Sequence, residues 1–410
     1  MNRLSLPPLS GRQKFAITVS VLLIVTVMLI EITVVVKWWS VVAPGDPEPI
    51  PVAAGSGPGS VVAAQTMPQL PWQVRLTRVH AAKVTYRSTN GTTGDDTTVS
   101  GTVFRPDGAP PAGGWPVIAF GHGTTGINEP CAPSESDDLK GLATVAANLT
   151  RGGYAVSIAD YQGLGAPGVH PYLDSKTAGL NMIDSVRALR AVYPGVSSRW
   201  AAFGGSQGGG ASWAADEQSD VYAKELTMVG SVALSPAADV AGLVRKAQDG
   251  QLTDDQKPVL QWVVESLARS NPTINRADFR SGSAIAHWDV LSQCNGPQLD
   301  ARTKAAAELG PHDIAPTSDK AARQLTDALQ AYALPQRRPS APMLVIYGGR
   351  DTYIDPVWTQ RAVARACSEG AVIDSEMQPD KGHANVNADR AFGWLADRFA
   401  DRPAPDRCQR

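Results

Sequence analysis

The chain has 410 residues, 43% of them hydrophobic and 19% charged, and a formal net charge of -2. This is the balance of a packed protein, long enough for one large domain with an insertion or for two domains. It supplies no basic surface, which excludes nucleic acid as a partner.

At the N-terminus, Arg3, Arg12 and Lys14 precede "FAITVSVLLIVTVMLIEITVVV" (15–36), a run apolar except for Glu31. At about 1.5 Å per residue it reaches roughly the 30 Å thickness of a bilayer's hydrocarbon core. The run reads as an export signal, either retained as a transmembrane anchor over 15–36 or cleaved as a signal peptide near the small residues of "PVAAGS". Because the basic residues come first, segment 1–14 is expected in the cytoplasm and everything after Trp39 outside. Residues 37–71, rich in Pro, Gly and Ala, read as a linker that lifts the domain off the membrane.

Beyond the linker, "KVTYRST" and "TTVSGTVF" flank the polar "NGTTGDD" and predict an antiparallel hairpin. Then "WPVIAFG", "YAVSIAD", "RWAAFGG", "TMVGSVALS", "PMLVIYGG" and "AVIDSEM" are short apolar runs without alternation, the pattern of buried parallel strands. Helical stretches lie between them, among them "DSKTAGLNMIDSVRALRAV" and "DPVWTQRAVARACSEG", so the expected fold is an α/β sheet covered by helices on both faces. One gap, of roughly a hundred residues between "VALSP" and "PMLVIYGG", is too long for a connection. It holds "LQWVVESLAR" and "SDKAARQLTDALQAYA", which makes 237–338 a mainly helical cap inserted into a core of 72–236 and 339–410. The four cysteines, Cys131, Cys294, Cys367 and Cys408, form an even set without CxxC spacing. In an exported chain they are expected as disulfides, with three pairings open.

Within this frame "GGSQG" (204–208) follows the strand "RWAAF" and precedes a helix-compatible run. A G-x-S-x-G in that context is a nucleophile elbow: the serine sits on a strained strand-to-helix turn, and its neighbours must be small. The glycines at 204, 205, 208, 209 and 210 meet that demand, and Ser206 is the candidate nucleophile. Its base must follow it in the chain, and of the six histidines only His383, in "DKGHANV", also follows the last strands. Asp351, in "GGRD" at the end of "PMLVIY", is placed to hold that imidazole in one tautomer. Asp355 competes for the role, although Pro356 behind it makes it a helix N-cap. An oxyanion hole is expected from backbone N–H groups of Thr124, with Thr125 as its neighbouring alternative, and of Gln207; His122 would shape the "FGHGTTG" loop. In "ADYQGLG", Asp160 and Tyr161 either line or brace the pocket. Metal-ligand spacings, a phosphate loop and a dinucleotide fingerprint are all missing, so no cofactor is expected.

The ordered set "GHGTTG", "DYQGLG", "GGSQGG", "GGRD" and "KGHANV" resembles the secretory lipases, the lipase A group of the α/β-hydrolases, over about 75 to 400 of the chain. The resemblance implies an α/β-hydrolase fold and a serine hydrolase of carboxylic esters of lipids, a lipase or carboxylesterase, with Ser206, Asp351 and His383 at the family's triad positions and the cap forming the acyl-binding tunnel. It further implies disulfides pairing Cys131 with Cys294 and Cys367 with Cys408. The N-terminal apolar span is longer than a family secretion signal. Two other readings use the same residues: an acyltransferase or peptidase, and a surface-displayed binding module on a silent hydrolase scaffold.

Overall fold

The computed structural model describes residues 10–42 and 45–408; Arg3 and the rest of 1–9 in the basic segment, and residues 43–44 of the linker, lie outside the described residues. The chain divides into two units, Met1–Asp46 and Pro47–Arg410. Among the described residues, the first holds one helix, α1 (Gly11–Val42), whose stretch Gly11–Val36 is long and apolar enough to cross a membrane. Its Thr18, Thr26 and Thr33 hydroxyls each donate to the carbonyl four residues earlier, so these three polar groups are satisfied within the helix.

The second unit is built on a nine-stranded sheet of order β1-β2-β3-β5-β4-β6-β7-β8-β9. Its strands are β1 (Val61–Thr66), β2 (His80–Thr89), β3 (Asp96–Arg105), β4 (Trp115–Gly121), β5 (Ala155–Ala159), β6 (Val196–Gly205), β7 (Thr227–Leu234), β8 (Met343–Gly348) and β9 (Ile373–Gln378). The predicted hairpin is β2–β3, joined antiparallel to β5, and from β5 to β9 every pairing is parallel. Two expectations need correction. The segment read as linker belongs in part to the domain from Pro47 on: β1 pairs antiparallel with β2, and Val61, Ala64, Met67 and Leu70 are buried. And β9, expected to be buried throughout, is an edge strand that buries Ile373 and Asp374 while its second half faces outward.

Helices α4 (Ser175–Val192), α5 (Gln207–Tyr222) and α11 (Pro356–Ser368) cover one face of the sheet, with Val186, Leu189, Trp213 and Ala362 in the cores they seal. The other face is closed by α2 (Trp72–Arg75), α3 (Leu142–Arg151) and α12 (Asp389–Phe399) through Val74, Ala146 and Trp394. Between β7 and β8 the chain forms α6 (Gly242–Gln248), α7 (Gln256–Ser270), α8 (Gly282–Leu291), α9 (Gln298–Ala307) and α10 (Asp319–Tyr332) around a core of their own. These form because apolar residues recur on one stripe: Leu260, Val263, Val264 and Leu267 on α7, and Ala321, Leu325 and Leu329 on α10. Ser318 caps α10 by accepting from Ala321 N–H at 3.2 Å.

The insertion is bonded to the loop after β8. Thr253 Oγ1 donates to Thr352 O (2.7 Å), Thr352 Oγ1 to Asp255 Oδ2 (2.7 Å) and Gln256 Nε2 to Tyr353 O (3.1 Å). A disulfide ties it on the other side, Cys131 to Cys294, with Cα atoms 5.7 Å apart. Cys367 and Cys408 form a second, which fastens the C-terminal tail to α11.

Candidate active site

Strand order reverses between β4 and β6, since the chain leaves β4 for β5 on one side and returns to β6 on the other. Loops leaving the carboxyl ends of such strands open a crevice. Ser206 stands there, between β6 and α5, with φ 58° and ψ -121°, a left-handed conformation that costs a non-glycine residue of order 1–3 kcal/mol. Its backbone is pinned on both sides: Ser206 N–H donates to Leu234 O (2.8 Å), and Ser206 O accepts from Ala237 N–H (3.0 Å) and Gly210 N–H (3.1 Å). The glycines around it are not equivalent. A Cβ on Gly208 would collide with the carbonyl of Gly121, and one on Gly204 with the carbonyl of Gly208, whereas at Gly205 the nearest atom, in Leu234, is 3.8 Å away. Backbone packed on backbone fixes glycine at 204 and 208; at 205 packing allows a side chain.

Nε2 of His383 lies 2.8 Å from Ser206 Oγ, and its Nδ1 lies 2.8 Å from Asp351 Oδ2. The other carboxylate oxygen of Asp351 accepts the backbone N–H groups of Tyr353 (2.8 Å) and Ile354 (2.9 Å), so the loop itself orients the acid. The ring of Tyr353 leans on that of His383 at 4.8 Å, and Ser235 Oγ donates to His383 O at 3.1 Å. The competitor Asp355 points elsewhere. It occupies the N-cap position of α11 without capping it, and instead accepts from Lys246 and from Gln256 in the insertion.

The loop after β4 runs against the serine: a Cβ on Gly123 would touch Ser206 Cβ at 3.9 Å. Gln207 opens α5, so its N–H has no intrahelical acceptor, and Thr124 forms part of the cavity wall. Thr125 turns inward, its hydroxyl buried without a partner. His122, Asp160 and Tyr161 do not line the cavity. They are packed beneath this loop, with the rings of His122 and Tyr161 stacked at 4.3 Å and Tyr161 donating to His122 O at 3.1 Å. Asp160 accepts from Ser100 Oγ (2.6 Å), Ser134 Oγ (2.5 Å) and Ser134 N–H (3.0 Å); burial raises its pKa, against the pull of those donors. Burial lowers the pKa of His122, and the same cause takes His170 down to about 4.

His170 is a residue that sequence reasoning passed over, because it precedes the nucleophile. Its Nδ1 donates to Gln162 O (2.8 Å), which leaves Nε2 to accept from the Gln207 side chain at 3.0 Å. A neutral histidine therefore holds the residue next to the nucleophile.

Over Ser206 and His383 lies a cavity of about 530 Å³, roofed by α7 and α9 of the insertion. Tyr172 and Trp262 form its apolar wall, edge to face at 5.9 Å, and Tyr172 OH meets Thr124 Oγ1 at 2.9 Å. Among the described residues no cluster of three His, Cys, Asp or Glu side chains is placed to hold a metal ion.

Solved structures share this fold. Candida antarctica lipase A in its closed state superposes with a TM-score of 0.65 at 18% identity, covering 85% of this chain and 84% of that one. A ligand-bound form of the rice cell wall degrading esterase LipA from Xanthomonas oryzae gives 0.65 at 20% identity, covering 84% and 97%. In sequence, a probable inactive lipase of Mycobacterium tuberculosis is 25% identical over 347 residues, which is 80% of this chain and 75% of that protein. The profile of the secretory lipase family matches residues 140–407, more than half of the chain. On that match, and with the α/β-hydrolase fold of those neighbours, the chain belongs to the secretory lipase family.

Proposed function

We propose that this chain is a catalytically competent carboxylic ester hydrolase, a lipase or esterase, that works through an acyl-enzyme on Ser206. The observation that supports this reading is the unbroken relay of two 2.8 Å contacts from Ser206 through His383 to Asp351. With Asp351 Oδ2 accepting from Nδ1–H, Nε2 is left unprotonated and takes the serine proton as Oγ attacks the ester carbonyl. The N–H groups of Gln207 and Thr124 receive the developing oxyanion, each contributing about 3–4 kcal/mol to the transition state. Collapse of the tetrahedral intermediate returns the proton from Nε2 to the departing alcohol. Water, deprotonated by the same nitrogen, then releases the acid. The apolar wall of Tyr172 and Trp262 suits an acyl chain, and the inserted helices serve as the cap of the acyl site. The apolar α1 and the two disulfides favour an exported protein, held at the membrane by α1 or released from it by cleavage.

A second reading, a silent hydrolase scaffold, has one observation behind it: the name of the mycobacterial relative. A fluorophosphonate probe separates the two. Labelling of the wild-type protein at Ser206, with hydrolysis of 4-nitrophenyl esters and loss of both in Ser206→Ala, is the expected result. An unlabelled, inactive wild-type protein with a cooperative melt would overturn the proposal. Transfer of the acyl group to added alcohol in preference to water would move the activity to an acyltransferase.

A further inference from the structure

Arg302, on α9, lines the same cavity as Ser206 and His383. Its guanidinium lies 4.1 Å above the ring of Trp262, and among the described residues it makes no hydrogen bond and no ion pair; its Nε is buried without an acceptor. The cavity's carboxylates, by contrast, are engaged. Asp254 is ion-paired with Lys257 at 2.9 Å, and Asp255 accepts from Thr352 Oγ1 at 2.7 Å and from the Tyr353 hydroxyl. Asp351, behind His383, faces its Nδ1. A cation drawn partly out of water without a partner is costly, and stacking on an indole repays only part of that cost. The four N–H donors on its two terminal nitrogens remain available toward an anionic oxygen group.

We infer that the cavity selects esters that carry a carboxylate or phosphate on the part of the substrate bound beneath the cap, and that Arg302 is the residue that recognises it. Arg302 stacks on Trp262, Trp262 meets Tyr172, and the Tyr172 hydroxyl touches Thr124 in the loop beside the serine. The charged group is therefore expected beside Trp262, in the same cavity as the scissile carbonyl. Arg302 acts here as a specificity residue and takes no part in the proton transfers.

The choice of esters as ligands rests on the serine-hydrolase reading, and the test is built to separate the two. Hydrolysis of mono-4-nitrophenyl adipate and suberate is compared with that of 4-nitrophenyl hexanoate and octanoate, in wild type, Arg302→Gln and Arg302→Lys. A 4-nitrophenyl ester of 6-phosphohexanoic acid distinguishes phosphate from carboxylate as the preferred source of charge. The ratio of kcat/KM for charged over neutral ester is expected to fall about tenfold or more in Arg302→Gln, mainly through KM, and to fall less in Arg302→Lys. Binding is read without turnover by titrating adipate and 6-phosphohexanoate into Ser206→Ala by calorimetry, with loss expected in Ser206→Ala/Arg302→Gln. An unchanged ratio with neutral esters still cleaved, or equal binding of both anions with and without Arg302, overturns the inference. If no ester is cleaved by wild type but the anions bind through Arg302, the hydrolase reading fails and the anion site stands.

Discussion

Asp351→Asn isolates the orienting role of the acid, because the two side chains have the same shape. In the wild type Oδ1 accepts two backbone N–H groups, from Tyr353 and Ile354, and Oδ2 faces Nδ1 of His383 at 2.8 Å. An asparagine can satisfy the two backbone donors only with its oxygen, which turns its NH2 toward Nδ1. The imidazole must then accept there and carry its proton on Nε2, facing Ser206 Oγ as a donor that cannot take the serine's proton. Flipping the amide restores the productive tautomer but orphans both backbone donors, at about 1–3 kcal/mol each. The flip thus costs about 2–6 kcal/mol, and at about 1.4 kcal/mol per decade kcat should fall by about 30-fold to 10⁴-fold. The assay is initial-rate hydrolysis of a neutral 4-nitrophenyl ester, with a thermal melt to establish that the fold is kept. A variant within tenfold of wild type and with an unchanged Tm would refute the tautomer argument and remove Asp351 from the relay.

The elbow makes opposite predictions for two glycines: Gly208→Ala, whose Cβ collides with the Gly121 carbonyl, should lose about 1–3 kcal/mol or more in denaturant unfolding, while Gly205→Ala stays within about 0.5 kcal/mol. Equal effects would contradict the packing described. Burial pushes Asp216 up to about 7 and Glu217 up to about 8. Acids raised above their unfolded values of about 4 contribute stability at low pH and lose it as pH rises toward the folded value, at up to about 1.4 kcal/mol per pH unit for each group. The Tm of Asp216→Asn relative to wild type should therefore become more favourable between pH 5 and pH 8, and a constant difference would rule this out. Replacing both Cys131 and Cys294 by Ser opens a crosslink spanning 163 residues. The loop-closure model assigns it about 5 kcal/mol, measured as a shift of the denaturant midpoint; no shift would mean that the cap holds its place without the bond.

The order of strands, the turn that presents Ser206 and the histidine that faces it could be read because each has a local signature: apolar runs of strand length, glycines flanking Ser206, and a His that follows the last strand. The carboxylate facing that histidine was legible by position, yet its separation from Asp355 depends on which side chain faces the imidazole, and neighbouring residues in one loop do not reveal that. The first strand was taken for linker since Val61–Thr66 is short and set among Pro and Gly; only its pairing with β2 supplies the burial that makes it a strand. At the other edge, "AVIDSEM" was taken for a strand buried throughout because its first residues are apolar; as an edge strand, β9 buries Ile373 and Asp374 and leaves the rest partly or fully exposed. His170 and Arg302 left no trace. The first acts through a side-chain contact with Gln207, and the second is one basic residue on a helix, where solvent is the ordinary destination.

The hydrogen bonds between Thr253, Asp255, Gln256 and the loop 352–353 bind the roof of the cavity to the segment that presents the acid. A chimaera that borrows another member's roof would cut these bonds and loosen the loop on which Asp351 is mounted. Such grafts should forfeit turnover as well as shift selectivity unless the donor's matching contacts travel with them. Changing single wall residues is the safer route to a new acyl preference in this scaffold.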